Sequence, residues 1–395
     1  MVILLHIGLI IVLVLAAIPV AVLLVQTLAA LKKTRVTPLP TEWRPSVAVV
    51  IPAHNEAKGI AATIASIREQ LRDGDRILVV ADNCTDETTA LALAAGAPVL
   101  ERINPEQRGK GYALDYGVQH LAHSPPEVVI MIDADCRLLE GAIDRLACLA
   151  ITTQRPVQAL DLMQAKKNSG LKMRIAEFAW IVKNHVRPLG FLRLGLPCQL
   201  MGTGMAFPWK LISQADLANG NLAEDMQLGI EMARKNAAPI FCPDACVISY
   251  FPVGEEAARM QRTRWEHGHM SMILHHGLPL LIQGLRRDDR MLIALALDMC
   301  VPPVALLTLL ACALFSVAIA GYLMFAWIAP LLLAAFSLSG LILAVLLAWR
   351  RFGRHVVSLH DLFSTVTYVF WKLPLYLKFF VSRQVEWVRA KRDAD

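Results

Sequence analysis

The chain has 395 residues, of which 56% are hydrophobic and 18% charged, and its mean hydropathy is +0.48. Ordinary soluble domains carry about 25% charged residues, so this chain is too apolar for a soluble enzyme, and it is too hydrophobic for a disordered one. Its 39 basic and 33 acidic residues are still too many for a bundle of membrane spans alone. The composition predicts a folded soluble domain joined to membrane segments.

The first apolar segment runs from Val2 to Leu31, and two lysines and an arginine follow it by position 35. About 20 apolar residues cross a bilayer, so this stretch is long enough to span it. A secretory signal would carry its positive charge before the apolar run, not after it. We therefore expect residues 1–35 to be an uncleaved anchor, with the N-terminus outside and the following domain in the cytoplasm.

A second apolar region runs from Met291 to Trp349 and is long enough for two spans, with Gly321 and Tyr322 near its middle as the predicted turn. Arginines flank it on both sides, which predicts a transmembrane hairpin over residues 291–350 that leaves the cytoplasm and returns to it. Lysines and a proline interrupt the last segment, residues 351–395, and its end is basic. This pattern favours an amphipathic helix in the membrane interface over a fourth span.

Eight cysteines are scattered along the chain, and Cys242 and Cys246 are the only close pair, without a second pair at zinc spacing. We expect reduced, mostly buried thiols in a cytoplasmic domain. The net charge of +6 suits anionic headgroups and an anionic substrate. Basic runs with interleaved aromatic residues are absent from the sequence, so no nucleic-acid partner is expected.

Short apolar runs alternate with helical periodicity in the first part of the middle region. The predicted strands are residues 46–52, 76–82, 99–102 and 128–133, and the predicted helices are 58–71, 86–95 and 111–121. This alternation predicts an α/β domain with a mostly parallel sheet, in which ligands bind beyond the carboxyl ends of the strands. Neither a Gly-x-Gly-x-x-Gly fingerprint nor a P-loop follows a strand, which disfavours a nicotinamide dehydrogenase and a P-loop ATPase.

Two carboxylates, Asp133 and Asp135, stand two positions apart at the end of the fourth predicted strand, so an extended end aims both at one point. Adjacent carboxylates repel one another unless a cation joins them, and a divalent cation holding a diphosphate does so; a turn or helix cap is the alternative. Lys110 and its flanking glycines open a predicted helix, where lysine and backbone amides suit phosphate; an ordinary surface loop is the alternative.

Glu224 and Asp225 begin a further predicted helix. Acidic residues in a first turn suit the helix dipole, and one that is held rigidly also serves as a general base. Gly204 closes a Gly-Thr-Gly segment that lets the backbone approach a sugar closely.

Gln261, Arg264 and Trp265 share one face of a predicted helix. An arginine there grips phosphate and a tryptophan offers a platform for a sugar ring; an amphipathic helix on the membrane surface is the alternative.

The ordered set of motifs resembles the membrane-bound family 2 glycosyltransferases, whose polysaccharide branch includes cellulose, hyaluronan and chitin-oligosaccharide synthases. The resemblance covers roughly residues 46–276, together with the arrangement of flanking spans. Its motifs are Ile51–Glu56, Asp82–Asp86, Arg108–Gly111, Asp133–Asp135, Gly202–Gly204, Glu224–Asp225 and Gln261–Trp265.

The resemblance implies a GT-A-like catalytic domain over residues 36–250, followed by interfacial helices over residues 251–290. Asp225 would be the general base, and Asp133 and Asp135 would hold Mg²⁺ or Mn²⁺. The implied donor-binding residues are Pro52, His54, Glu56, Asp82, Lys110, Asp133, Gln261 and Arg264. The implied acceptor-binding residues are Gly204, Glu224 and Trp265.

Three positions depart from the family pattern. Ala81 stands where the first nucleotide loop often has an acid, His54 replaces the usual aromatic residue, and Ala223 replaces the threonine before the acidic pair. These departures concern the nucleotide and acceptor contacts more than the reaction.

We therefore expect a metal-dependent, inverting hexosyltransferase of the inner membrane that extends a polysaccharide from a UDP-sugar, with membrane lipids and export or assembly proteins as partners. Transfer of a single sugar to a lipid, either a glycolipid or a polyprenyl carrier, is the alternative that the small number of spans favours. A transporter or scaffold subunit that only binds a nucleotide is an alternative of another class. The basic, apolar helix candidate at residues 168–195 is expected to lie at the cytoplasmic face and frame the acceptor entrance.

Overall fold

The computed structural model describes residues 1–32, 43–166, 169–220, 223–252, 254–362, 364 and 372–376. The chain divides into two compact units. The helical unit comprises Met1–Lys33, Lys167–Gly195 and His269–Gln384, and the sheet unit comprises Thr34–Lys166, Leu196–Gly268 and Val385–Asp395. Much of the predicted interfacial segment at residues 351–395 lies outside the described residues.

The sheet unit is built on one eight-stranded sheet. Its strands are β1 (Val47–Ala53), β2 (Arg76–Asp82), β3 (Val99–Arg102), β4 (Val128–Met131), β5 (Arg137–Leu138), β6 (Val157–Gln164), β7 (Met205–Pro208) and β8 (Ile240–Tyr250). They lie in the order β3-β2-β1-β4-β7-β6-β8-β5. The pairs β1–β2, β1–β4 and β2–β3 are parallel, as the predicted alternation of strands and helices requires. β7 is antiparallel to both its neighbours, so the sheet is mixed.

The two units together contain fourteen α-helices among the described residues. They are α1 (Val2–Ala30), α2 (Ile60–Arg68), α3 (Thr88–Ala94), α4 (Lys110–Leu121), α5 (Ala142–Thr153), α6 (Leu171–Ile181), α7 (Arg187–Arg193), α8 (Trp209–Ile212), α9 (Glu224–Arg234), α10 (Glu255–Met272), α11 (Leu278–Arg287), α12 (Arg290–Met299), α13 (Val304–Phe325) and α14 (Ile328–Ala348). A π-helical turn, Val182–Val186, joins α6 to α7, so the described part of the segment predicted as a helix over residues 168–195 is helical from Leu171 to Arg193 and belongs to the helical unit.

Two apolar layers cover the two faces of the sheet, because alternate side chains of a strand point to opposite faces. On β1, Val47, Val49 and Ile51 belong to one layer and Ala48 and Val50 to the other, and all five are fully buried. The near-continuous apolar sequence of this strand thus reflects burial on both faces. The resulting register brings the carboxyl ends of β1, β2 and β4 to one edge of the sheet.

Among the described residues, three helices of the helical unit are long and apolar enough to cross a membrane: Val2–Ala30, Val304–Phe325 and Ile328–Gly353. The first corresponds to the predicted anchor and the other two to the predicted hairpin. The hairpin begins later than expected, because Arg290–Met299 forms the separate helix α12.

The turn of the hairpin lies at Ala326 and Trp327, and the prediction of a turn at Gly321 and Tyr322 is wrong. Gly321 is a helical residue whose missing side chain makes room for Trp327: a Cβ there would lie 2.8 Å from the indole Cε3. Glycine is common inside transmembrane helices, so in this setting it marks close packing as readily as a turn.

A buried ion pair joins two shorter helices of the helical unit. Nη2 of Arg187 on α7 lies 2.9 Å from Oδ1 of Asp298 on α12, and both side chains are less than 10% exposed. Gln26 on α1 is fully buried and donates its Nε2 to the same oxygen at 2.6 Å. Three segments that are distant in the sequence therefore share one carboxylate.

Replacing Asp298 with alanine is expected to destabilise the helical unit by about 3–5 kcal/mol, because the guanidinium of Arg187 then stays buried without its counter-ion. Thermal unfolding in detergent measures the effect. Asp361→Ala is the matched control, since Asp361 pairs at 2.7 Å with the more exposed Arg174; little change is expected there. An Arg187→Leu/Asp298→Leu protein should regain much of the loss, and equal melting of Asp298→Ala and wild type would contradict the prediction.

Candidate active site

A polar cleft of about 150 Å³ opens at the edge of the sheet where β1, β2 and β4 end. It is lined by all eight residues that the sequence predicts for donor binding, together with the second predicted metal ligand. These residues are Pro52, His54, Glu56, Asp82, Lys110, Asp133, Asp135, Gln261 and Arg264. The parallel register of β1, β2 and β4 explains why the residues that follow these strands meet here, and α10 adds Gln261 and Arg264 from much later in the chain.

One end of the cleft is formed by the ends of β1 and β2. Nδ1 of His54 lies 2.6 Å from the backbone oxygen of Asp82, to which it donates. The Asp82 side chain is 7% exposed, and its Oδ1 accepts from Nη1 of Arg102 at 2.7 Å and from Nδ2 of Asn83 at 3.0 Å. The carboxylate that is predicted to bind the nucleotide is therefore held in place by its neighbours.

Sequence reasoning missed Arg102. It ends β3 directly opposite Asp82 in the parallel pair, and its guanidinium also lies 5.4 Å from the ring centroid of Tyr112. The signal that could have found it is the register, because residues that end adjacent parallel strands are neighbours.

Asp133 and Asp135 offer two half-buried carboxylates at the end of β4. Their oxygens and the Sγ of Cys136 all lie within 4.8 Å of one another. Burial, reinforced by the charges of both aspartates, holds the pKa of the Cys136 thiol well above its usual range. A thiol is a soft ligand, whereas the carboxylate oxygens suit Mg²⁺ or Mn²⁺. The donor set fits the expected cation.

Lys110, the first residue of α4, connects this carboxylate pair to a loop before β7. Its ammonium forms an ion pair with Asp133 and donates to the backbone oxygen of Gly202 at 2.7 Å. Burial lowers the pKa of Lys110, but the charges of Asp133, Glu224 and Asp225 outweigh burial and raise it above its ordinary value. The side chain is a fixed cation within the acidic site.

Glu224 and Asp225 form the first turn of α9, and Oδ1 of Asp225 accepts from the backbone N–H of Met226 at 2.8 Å. The other carboxylate oxygen faces Gly202, where a Cβ would lie 3.5 Å from it and 3.5 Å from Nζ of Lys110. The predicted base thus stands beside the lysine that pairs with a predicted metal ligand.

Gly204 has φ +66°, and a Cβ on it would lie 2.7 Å from Cβ of Ala159 and 2.8 Å from Cγ2 of Val247. Glycine is required there for packing against β6 and β8. The glycine that faces the acidic site is Gly202, two positions earlier, and the acceptor role of Gly204 stays a prediction.

Gln261 and Arg264 reach the cleft from α10. Gln261 is 7% exposed, and its Oε1 has no hydrogen-bond partner among the described residues. A buried amide oxygen without a partner costs free energy, so it marks a point where a ligand or water completes the site. Trp265 is half-buried and does not belong to the described lining of the cleft.

The sequence model of the glycosyltransferase like family 2 matches residues 45–268, which is more than half of the chain. The chain belongs to this family. The matched segment contains every predicted site residue, and the part of the predicted resemblance that concerns membership of family 2 is confirmed.

Known proteins similar to this glycosyltransferase include the low-salt glycan biosynthesis hexosyltransferase Agl6 of Haloferax volcanii, 38% identical over 23% of this chain and 21% of that protein. Glucosyl-3-phosphoglycerate synthase of Mycobacterium tuberculosis is 37% identical over 23% of this chain and 29% of that protein. The chain thus spans about a fifth to a half of the length of the curated relatives it matches. 

Among solved structures, the mannosyltransferase PcManGT of Pyrobaculum calidifontis, in complex with GDP-Man and Mn²⁺, is 21% identical with a TM-score of 0.52. The similarity covers 89% of this chain and 100% of that one. It confirms the predicted GT-A-like α/β fold of this family 2 glycosyltransferase.

The pKa of Glu224 predicts how the stability of the metal-free glycosyltransferase depends on pH. Burial, and then the charge of Asp225, raise this pKa from 4.5 to about 7. Between these values the folded protein keeps a proton that the unfolded chain releases, so stability falls as the pH rises and the full loss is present above about pH 7. Glu224→Gln removes this dependence.

Melting temperatures at about pH 5 and about pH 8 test the prediction: wild type should lose stability relative to Glu224→Gln as the pH rises. Glu231→Gln is the control, because Glu231 lies on the same helix in a surface pair with Lys235, and it should behave like wild type. Parallel curves for wild type and Glu224→Gln would show that Glu224 is ionised throughout.

Proposed function

We propose that the protein is an inverting, metal-dependent glycosyltransferase of the inner membrane that transfers one sugar from a UDP-sugar to a lipid-borne acceptor. The observation that carries the reaction is the single cleft that gathers the metal carboxylates, Lys110, Gln261 and Arg264, next to Asp225. These groups suit a substrate that combines a nucleoside, a diphosphate and a sugar.

Asp133 and Asp135 hold the divalent cation, which when bound neutralises charge on the diphosphate. Asp82, His54, Pro52 and Glu56 bind the nucleoside. Lys110 and the Gln261–Arg264 face of α10 bind the diphosphate, where fixed cations stabilise the charge that develops on it.

Asp225 takes the proton of the acceptor hydroxyl, and Glu224, Trp265 and the loop that ends at Gly204 orient the acceptor. The hydroxyl oxygen forms a bond to the anomeric carbon as the bond from that carbon to the diphosphate oxygen breaks. With one base and no second carboxylate in the role of nucleophile, this single displacement inverts the anomeric centre.

The membrane-spanning helices favour a lipid acceptor over a growing polysaccharide. Only three described helices are long and apolar enough to span, and α13 and α14 carry no charged side chain. A polysaccharide in transit needs hydrogen-bond partners for its hydroxyl groups, whereas hydrocarbon does not. The helical unit also contains a cavity of about 270 Å³ with an almost wholly apolar lining that includes Leu13, Leu307 and Leu314.

The proposed orientation places the sheet unit in the cytoplasm. Basic residues follow the anchor and flank the hairpin on both sides, which the positive-inside tendency assigns to the cytoplasmic face. The helices between Leu171 and Arg193, which group with the spans in the helical unit, would then lie at that face of the membrane.

The decisive experiment incubates the purified protein in lipid with Mn²⁺ or Mg²⁺, a panel of UDP-sugars, and GDP-mannose as an alternative donor. Release of UDP with one lipid-linked product is the expected result. A ladder of products would establish polysaccharide synthesis, with export or assembly proteins as partners. Release of GDP alone would reassign the donor, and nucleotide binding without release would identify a scaffold or transporter subunit.

A further inference from the structure

Gln158, the second residue of β6, is fully buried and makes side-chain hydrogen bonds to the loop that leads into β7. The last residue of this loop, Gly204, also accepts a backbone hydrogen bond from Ala159 N–H at 2.8 Å. Oε1 of Gln158 accepts from the backbone N–H of Met201 at 2.8 Å, and its Nε2 donates to the backbone oxygen of Thr203 at 2.8 Å. Nε2 also donates to Ala159 O at 2.9 Å. These partners fix the orientation of the amide, because an N–H only donates and a carbonyl only accepts.

The segment clamped in this way, Met201–Gly204, is called here the glycine loop. Its Gly202 oxygen accepts from Nζ of Lys110 at 2.7 Å, and the Oγ1 of its Thr203 accepts from the backbone N–H of Asp133 at 3.1 Å. Gly202 also stands against the Asp225 carboxylate. The glycine loop therefore touches a predicted metal ligand, a predicted diphosphate ligand and the predicted base.

We propose that Gln158 is a positioning residue for sugar transfer. It holds the glycine loop in place and thereby fixes the distance from Asp225 to the carboxylates of Asp133 and Asp135. Only a side chain with both an acceptor and a donor at this reach bridges Met201 N–H and Thr203 O. Asparagine is one methylene too short, and methionine fills the space without either hydrogen bond. The inference rests on the proposed function, since it assigns a catalytic consequence to the position of Asp225.

The test compares Gln158→Met with Val157→Ala. Val157 precedes Gln158 on β6, is equally buried and belongs to the apolar layer on the opposite face of the sheet, so its variant reports what lost packing alone does. We expect Gln158→Met to lower kcat for transfer by about 10–10²-fold, as small misplacements of reacting groups do, with the KM for the donor nearly unchanged. Val157→Ala should leave both constants close to wild type.

Amide hydrogen exchange gives a second measurement, and its wild-type part does not depend on whether the variant folds. In the wild-type protein, the Met201 amide should exchange slowly; in Gln158→Met it should exchange faster. Fast exchange at Met201 in wild type, or a folded Gln158→Met with unchanged kcat, would overturn the proposal. Asp225→Asn distinguishes failure of this inference from failure of the proposed function. If Asp225→Asn is inactive while Gln158→Met is fully active, the positioning role of Gln158 is wrong and the proposed function stands.

Discussion

Asp225→Asn is expected to lower kcat by about 10²–10⁴-fold, the range that a positioned general base contributes. The amide keeps the shape and can still accept from Met226 N–H, an acceptance that Oδ1 makes at 2.8 Å in the native protein. It cannot take the proton of the acceptor hydroxyl. Donor binding should change little, because Asp225 is not among the residues that line the donor cleft.

Single-turnover transfer and titration with the nucleotide measure the two effects separately. Glu231→Gln is the matched control: it removes a carboxylate from the same helix, outside the cleft, and should be fully active. Wild-type turnover in Asp225→Asn would remove the base assignment, and a parallel loss of donor affinity would indicate that Asp225 supports the donor instead.

Chelation of divalent cations is expected to abolish transfer, with recovery on addition of Mn²⁺ or Mg²⁺. Without the cation, Asp133 and Asp135 stand close together beside a diphosphate whose negative charge they repel. Asp135→Asn removes one charged ligand, so the cation concentration that gives half-maximal rate should rise by about tenfold or more.

Cys136→Ser tests whether the sulfur beside the two carboxylates is also a ligand of the cation. Since sulfur is a soft ligand and Mg²⁺ and Mn²⁺ prefer oxygen, this variant should need no more cation than wild type. A large increase for Cys136→Ser would make the sulfur a ligand, and full activity in chelator would exclude the metal assignment.

Local patterns predict the cleft well, because β2 and β3 begin and end at the predicted residues and each predicted strand end carries its polar group. Contacts between distant segments are not predicted. Arg102 reaches Asp82 through strand register, and Gln158 reaches the glycine loop across more than 40 positions. Neither contact leaves a local pattern, since what fixes each is the packing of the whole sheet.

Two short strands beyond β4 in the sheet are likewise not predicted from local patterns. β7 has only four residues and β5 only two, too few for periodicity to show. β7 is positioned by pairing with β4, and β5 by pairing with β8. A long stretch of chain separates the two strands of each pair.

The shared carboxylate of Asp298 also sets the point in synthesis at which the buried cluster with Gln26 and Arg187 can form. Asp298 follows Gln26 by 272 positions, and the described strands are all made in between. At about 5–20 residues per second, α1 is synthesised roughly 15–55 s before its buried partner exists. Nascent fragments that end before residue 298 therefore contain Arg187 without its counter-ion.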